Sequence, residues 1–491
     1  MPRDRFGALM PNPYDVVRYP SLCFPATHPR SIGVFAALFG RCFAPLERAR
    51  VLEIGCGQGV NLINMALGPK HAEFVGVDLS ERSIGAARAT ARACGCANAR
   101  FDCRDLAEID DSFGRFDYIL AHGVYAWVPT RVREALMRVL GERLSADGVA
   151  LVSYNVLPAS RLRQALRDVL LYAARGVDDP EAKVTAARSV LAEQAEAWSN
   201  TEADESALRQ EARRILDNHP VVTYFDELSE AYAPQLLTDV VEAAARCGLI
   251  YLCDAQPGLS EAILFPEKGS TAGEGRSAAD WVRLEQLADF RNLRRFRYSL
   301  FCLGEPERLW RPTRLRGLKA SGALKVVQVD PSAEDGAAFE AGPTKIRTND
   351  PKLAAFLAHL AEIFPLCAAL DSASEIPSLG DHILRLFARE AIRLYTEEPP
   401  LVAVPGERPS VNVLARVQAA RGEPLLATLR HAAFEIADPS VRAVVPLIDG
   451  TRTHGELALE VARLHQVPAA EASRRLGEML AAFARAGLMS A

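Results

Sequence analysis

The sequence predicts an α/β protein built on a doubly wound, Rossmann-like sheet with smaller units behind it. Three observations predict this. Short apolar runs alternate with helical periodicity in β-α-β-α order, and those runs are near-continuous, as for parallel strands covered on both faces. The first of them ends in a glycine-rich turn that opens a helix. At 491 residues the chain exceeds one core, and three regions are expected: 1–304 as the sheet domain, 305–375 as a small α+β unit, and 376–491 as a helical, winged-helix-like unit.

Taken in order, RVLEIGCG is the first strand and a helix follows over 59–67. EFVGVDLS leads to a helix over 81–94, and ARFDCRDL and FDYILAHG are the third and fourth strands. A helix over 131–144 and a turn at Asp147 and Gly148 precede the fifth strand, GVALVSYN. From about 158 to 234 the pattern is helical and acidic, which reads as an insertion. LLTDVVEAAARCGLIYLCDA is a helix feeding a strand, KGSTAGEGRS a flexible loop, and FRYSLFCLG a last strand. Strands near 318–329 and 344–348 precede a helix over 352–364. Helices are expected over 380–395, 425–436 and 469–486, with the linker EEPPLVAVPGERPS between the first two. The turn and helix in LIDGTRTHGELALEVARL suggest a winged-helix module used for packing, with homodimerisation through the C-terminal units as a further expectation. Ahead of the first strand, residues 1–48 carry Pro20, Pro25 and Pro29 and read as an extended strap over the sheet edge.

Composition narrows the function classes. Hydrophobic residues make up 49% and charged residues 24%, as in a globular domain, and no apolar run reaches the length of a membrane span. The N-terminus lacks the apolar segment of a secretory signal, so the cytoplasm is expected. A net charge of −5 without a basic stripe argues against nucleic acid. Arg291, Arg294, Arg295 and Arg297 form the one basic cluster and read as a solvated helix face. The ten cysteines lack metal-site spacing even at Cys94, Cys96 and Cys103, so no metal is expected.

The chemistry is concentrated at strand ends. In EIGCGQG, Glu53 precedes Gly55, Cys56, Gly57 and Gly59, a GxGxG spacing that lets backbone approach a ligand and presents free N–H groups to a carboxylate. This differs from the GxGxxG of dinucleotide binders. Asp78, followed by Leu79, ends the second strand, where a carboxylate can accept from both ribose hydroxyls. Asp105, beside Leu106, ends the third, where one can accept from an adenine amino group. Three such strand ends in order predict a site for S-adenosyl-L-methionine. His122, Tyr125 and Trp127 after the fourth strand, and Tyr154 and Asn155 at the end of the fifth, are candidates to line a methyl-transfer channel. Tyr14, Tyr19 and His28 of the strap could be brought to it. In-line displacement needs alignment and exclusion of water more than a strong base.

The runs YDVVRYPSLCFPATHP, VLEIGCGQGVNLINMA, FVGVDLS, HGVYAWVP and VSYNVLP, with YFDELSEAYAP, ARCGLIYLCDA and DFRNLRRFRYSLFCL, resemble the bacterial methyltransferases that carry a methyltransferase regulatory domain. Rickettsial protein-lysine methyltransferases of outer-membrane proteins are among them. The similarity covers residues 14 to 303. It implies cofactor contacts at Glu53, Gly55, Gly57, Asp78, Asp105 and around His122, and a protein lysine as acceptor. The chain departs from the family pattern at Ala126, Ala159 and Asp226, where serine, glycine and histidine are usual. Two other readings stay open: a small-molecule N- or O-methyltransferase, and a cofactor-binding regulator without turnover.

Overall fold

The computed structural model describes residues 12–198, 203–260, 264–265, 277–332 and 336–490. A seven-stranded sheet is its centre, with β1 (Arg50–Ile54), β2 (Glu73–Asp78), β3 (Ala99–Cys103), β4 (Phe116–Ala121), β5 (Leu144–Asn155), β6 (Ile250–Asp254) and β7 (Phe296–Cys302). Their order is 3-2-1-4-5-7-6. The first five strands are parallel, and β7 runs antiparallel to both β5 and β6. Val51, Leu52, Phe74, Val75, Ile119, Leu120, Leu151 and Val152 are fully buried, which is why these strands read as continuous apolar runs. The order reverses at β1, so the carboxyl ends of β1 and β4 diverge and open a crevice there.

The turn expected at Asp147 and Gly148 lies within β5. Leu144 pairs with Phe116 and Val149 with Tyr118, so the intervening residues form an outward irregularity and not a chain reversal. The strap is not wholly extended, because Pro29 starts a helix, Pro29–Leu38, whose N-cap is His28. Residues 1–11 of the strap lie outside the described residues, and so does KGSTAGEGRS apart from Ser277. The segment between β6 and β7 also holds a helix, Ala278–Asn292. Ser277 and Asp280 start it with reciprocal capping bonds, so this segment is not all loop.

The insertion is helical, with Ser160–Ala173, Pro180–Ala197 and Ala203–Asp217 packed around their own core of Leu166, Leu170, Val184, Leu191 and Ile215. Behind the sheet, Lys319–Ser321 pairs with Ala368–Ala369 and with Arg393–Tyr395. Residues 377–395, expected in the C-terminal unit, therefore belong to the middle one. Leu379, Ile383, Leu384 and Leu394 join the core that runs on into the large sheet. The C-terminal unit has a separate core, with Val411, Leu426, Leu457, Val461, Leu476, Leu480 and Phe483. Its expected helix over 425–436 is instead a hairpin, Leu425–Ala427 with Ala433–Glu435. Leu and Ala favour helix there, but the tip of this segment is pinned by contacts to the sheet domain and tertiary structure overrides propensity.

The basic cluster is also corrected. Leu293, at φ +46°, ends the helix, so the four arginines do not share one helical face. Arg294 and Arg297 are buried. Arg297 bonds Asp289 and Glu285 at 2.8–2.9 Å, and Arg294 lies 3.3 Å from Asp254. Among the described residues no helix is long and apolar enough to cross a membrane.

Candidate functional site

The glycine turn after β1 is held in its left-handed form at Gly55, Gly57 and Gly59, with φ of +73°, +51° and +72°. The three positions differ in what surrounds them. A Cβ on Gly59 would meet Phe101 at 2.6 Å, and one on Gly55 would meet Val124 at 2.5 Å, so both are fixed by packing. At Gly57 a Cβ would meet nothing within 4 Å, so this is where backbone faces open space. Cys56 is buried, and burial pushes its thiol far up, which suits packing and not nucleophilic attack.

Asp78 fastens the turn: its Oδ2 accepts from the Gly57 N–H and its Oδ1 from the Ser80 N–H, each at 2.9 Å. Burial raises its pKa and these bonds oppose the rise. Leu79 beside it is a large apolar side chain left 47% exposed at the same edge. Asp105 caps the short turn Leu106–Glu108, accepting from the Ala107 N–H at 3.0 Å, while Leu106 is buried. Glu53 is buried, with Oε1 accepting from Asn61 Nδ2 at 2.7 Å and Oε2 left without a partner. Burial pushes its pKa up to about 8, with Asn61 opposing and the Asp78 charge adding to the rise. A cofactor with an ammonium group, a ribose diol and an adenine ring fits this set. Glu53 Oε2 is an orphaned acceptor, Gly57 opens onto space, and Leu79 offers a bare apolar face.

The strap closes over this turn. Asp15 Oδ1 accepts from Ser80 Oγ at 2.5 Å, Arg18 Nε donates to Gln58 Oε1 at 2.8 Å, and Gln58 Nε2 donates to the Tyr19 carbonyl at 2.8 Å. Tyr14 and Tyr19 thereby meet Phe225 of the insertion, Tyr14 stacked at 4.5 Å and Tyr19 edge-on at 5.1 Å. The next residue, Asp226, is held at 3.1 Å by Arg163, which also grips Glu227. Tyr14 precedes Asp15, whose carboxylate accepts from Ser80 Oγ two residues after Asp78. Burial pushes up the Tyr14, Tyr19 and Asp226 pKa values. Trp127 packs on Tyr232 at 4.8 Å with the Arg163 guanidinium 5.5 Å from its ring, so it joins the base of the insertion to this mouth.

His122 sits between Phe24, 4.0 Å away, and Tyr298, stacked at 5.3 Å, and its Nδ1 is 2.9 Å from Ser153 Oγ. Burial pushes its pKa down to about 4, so the ring is neutral near pH 7. Asn155 is buried at the end of β5 with its Oδ1 unpartnered.

Five predicted residues are not brought to the mouth: His122 and Asn155, placed as above, and Tyr125, Tyr154 and His28. Tyr125 is buried and packs toward Tyr154, whose hydroxyl bonds Ser299 Oγ at 2.9 Å inside the core. Both aromatics fill the sheet because β-strand alternation and the turn after β4 point them inward. His28 is buried as a helix cap, its Nδ1 accepting from the Arg30 N–H at 3.0 Å. Sequence reading missed Phe225, Arg163 and Asn61. Phe225 and Arg163 are more than 100 residues from the glycine turn, whereas Asn61 follows Gly59 by two positions and was within reach of a local argument.

Comparison with known proteins bears on family and fold. Three family profiles match: "Methyltransferase domain" over residues 46–212, "Predicted methyltransferase regulatory domain" over 220–303, and "PKMT, C-terminal winged helix domain" over 407–475. The chain is 34% identical over 292 residues to Uncharacterized protein RP789 of Rickettsia prowazekii (strain Madrid E), covering 59% of this chain and 52% of that one. It therefore spans about half the length of that relative. It is 33% identical over 220 residues to Uncharacterized protein RP028 of the same organism, covering 44% of this chain and 88% of that one. In fold it matches PKMT2 from Rickettsia typhi with a TM-score of 0.84 at 23% identity, covering 96% of this chain and 100% of that one. The AdoHcy complex of that protein matches at a TM-score of 0.83 and 22% identity, covering 96% and 99%. At these identities the structural likeness is one of fold. The chain belongs to the S-adenosylmethionine-dependent methyltransferases that carry a methyltransferase regulatory domain.

Proposed function

We propose that this protein transfers the methyl group of S-adenosylmethionine to an amine, and that the amine is a protein lysine side chain. The observation that carries the reading is the mouth formed by Tyr14, Tyr19, Phe225 and Asp226, which joins an aromatic wall to a carboxylate and is tied through Asp15 to Ser80, two residues after Asp78. In this reading Asp78 accepts from the ribose, Leu79 and Leu106 flank the adenine with Asp105 at its amino group, and Glu53 Oε2 accepts from the methionyl ammonium. Bound cofactor supplies a sulfonium methyl open to in-line attack.

The chain's own residues must bind and strip the acceptor. A lysine has an ordinary pKa of about 10.4 and cannot attack while protonated. Asp226 accepts from its ammonium as it arrives. Burial against Tyr14, Tyr19 and Phe225, beside a sulfonium charge, then disfavours the charged form, and the proton leaves through the carboxylate to solvent. Neutral His122, between Phe24 and Tyr298, excludes water at the end of β4 and adds no competing charge. A protein acceptor is favoured by the insertion with its own core and by the C-terminal unit, which matches the PKMT winged-helix profile. The AdoHcy bound to the structural neighbour from Rickettsia typhi supports the cofactor.

The test is incubation with methyl-labelled cofactor and a lysate split into protein and small-molecule fractions. Label in the protein fraction, recovered as methyl-lysine after hydrolysis, is expected. Label confined to small molecules overturns the lysine acceptor, and none in either fraction overturns transfer itself.

A further inference from the structure

The C-terminal unit reaches the cofactor edge from behind. The tip of its hairpin, Thr428 to Ala432, lies against the helix Val60–Ala66 that follows the glycine turn. His431 is buried there, 2% exposed and with φ +57°, a left-handed conformation uncommon for a residue with a side chain. Such a conformation persists where the surroundings over-determine it. Here they do. The Thr428 N–H donates to the Ala432 carbonyl, the His431 N–H to the Thr428 carbonyl, and the Leu429 N–H to the Gly487 carbonyl. Arg430 reaches across to the Pro365 carbonyl of the middle unit at 3.3 Å.

From that position His431 Nε2 lies 2.8 Å from Asn61 Oδ1, and Nδ1 lies 2.8 Å from Asn64 Oδ1. The Asn61 amide is committed on its other side, because Nδ2 donates to Glu53 Oε1 at 2.7 Å. Its Oδ1 can therefore only accept, so Nε2 orients the amide when it carries the ring proton, with Asn64 Oδ1 opposite Nδ1 as the competing acceptor. The chain His431, Asn61, Glu53 thus runs without a break from the winged-helix unit to the carboxylate whose second oxygen has no partner. The strap joins the same network, since Asn61 Oδ1 also accepts from the Phe24 N–H at 3.1 Å and the His28 ring meets His431 edge-on at 4.8 Å.

We propose that His431 is a positioning residue for the cofactor, orienting Glu53 through Asn61, so that docking of the C-terminal unit sets affinity for S-adenosylmethionine. This rests on the methyltransferase reading and adds to it a dependence of the cofactor site on a segment 370 residues away from Asn61. An isolated interface contact would bury the ring equally well without orienting the amide that fixes Glu53.

The experiment uses the full chain and measures AdoHcy binding by calorimetry beside the melting temperature. His431→Leu removes the donor, and His431→Gln keeps one near Nε2 on the same left-handed backbone. His431→Leu is expected to lose about tenfold in affinity, and His431→Gln to stay within about threefold, with similar melting temperatures for both. If the leucine variant fails to fold, His431→Gly relieves the backbone at φ +57° and leaves room for added imidazole, which is expected to restore affinity. Equal affinity in wild type and His431→Leu, equal losses in the leucine and glutamine variants, or no recovery with imidazole overturns the proposal. A wild-type chain that does not bind AdoHcy overturns the methyltransferase reading instead.

Discussion

The proposed cofactor edge and the proposed acceptor mouth are neighbours built in opposite ways. The cofactor edge is made of backbone and strand ends, all within residues 53 to 106, and each part sits where its strand stops. The acceptor mouth is made of side chains from three distant segments: Tyr14 and Tyr19 of the strap, Trp127 after β4, and Arg163, Phe225 and Asp226 of the insertion. A site framed by strand ends keeps its backbone in place as long as the sheet stands, while its carboxylates, Glu53 and Asp78, still depend on the partners that orient them. A site built of side chains changes with one residue and can be respecified. Binding of cofactor and turnover of acceptor should therefore separate under mutation.

The largest effect is expected at the cofactor edge. Asp78→Ala removes the acceptor for the Gly57 N–H as well as the proposed ribose contact. At roughly 1.5–3 kcal/mol for each charge-assisted bond, AdoHcy affinity should fall at least a hundredfold. Calorimetry showing unchanged affinity would place the ribose elsewhere and end the comparison.

At the mouth, Asp226→Asn should lower kcat/KM for a lysine acceptor by about 10- to 100-fold while AdoHcy affinity stays within about threefold. Titration of both ligands on the same variant checks this. If affinity for AdoHcy falls in step with turnover, the two regions are one site.

A pH series sharpens the contrast because Glu53 belongs to the cofactor side alone. Its carboxyl is raised by burial from an ordinary 4.5 to about 8, so in the free protein it is largely protonated at pH 6 to 7. Accepting from an ammonium requires the ionised form. AdoHcy affinity should then rise with pH, by up to about tenfold per unit, and level off above about 8. For the free fold the sign is opposite: the unfolded chain loses this proton near 4.5, so stability falls as pH rises from there to about 8. Glu53→Gln should flatten both profiles. A wild-type affinity that is constant from pH 6 to 8 would remove Glu53 from the ammonium.

The smallest effect is expected from a residue that belongs to neither region. Tyr154→Phe loses one bond to Ser299 Oγ, about 1 kcal/mol, and should lower the melting temperature by a few degrees with kcat and AdoHcy affinity unchanged. A selective loss of turnover would return Tyr154 to the acceptor channel.

The sequence by itself determined the sheet and the strand ends proposed to hold the cofactor, for a local reason. Strands buried on both faces announce themselves as apolar runs, and Gly55, Gly57, Gly59 and Asp78 follow or end such runs, while Asp105 follows the edge strand β3, where chain direction puts it on the same edge. Tertiary structure decided what depends on segments that are remote in sequence. It put Tyr14 and Tyr19 against Phe225 but kept Tyr125, Tyr154 and His28 in the interior, a choice that no spacing encodes, because an aromatic ring satisfies a core and a cleft equally well. It turned Arg294 and Arg297 of the basic cluster inward, where Asp254, Glu285 and Asp289 neutralise them, and left Arg291 exposed. It also folded 425–436 into a hairpin, whose helix-favouring residues yield to the bonds that His431 and Arg430 make with the sheet domain and the middle unit.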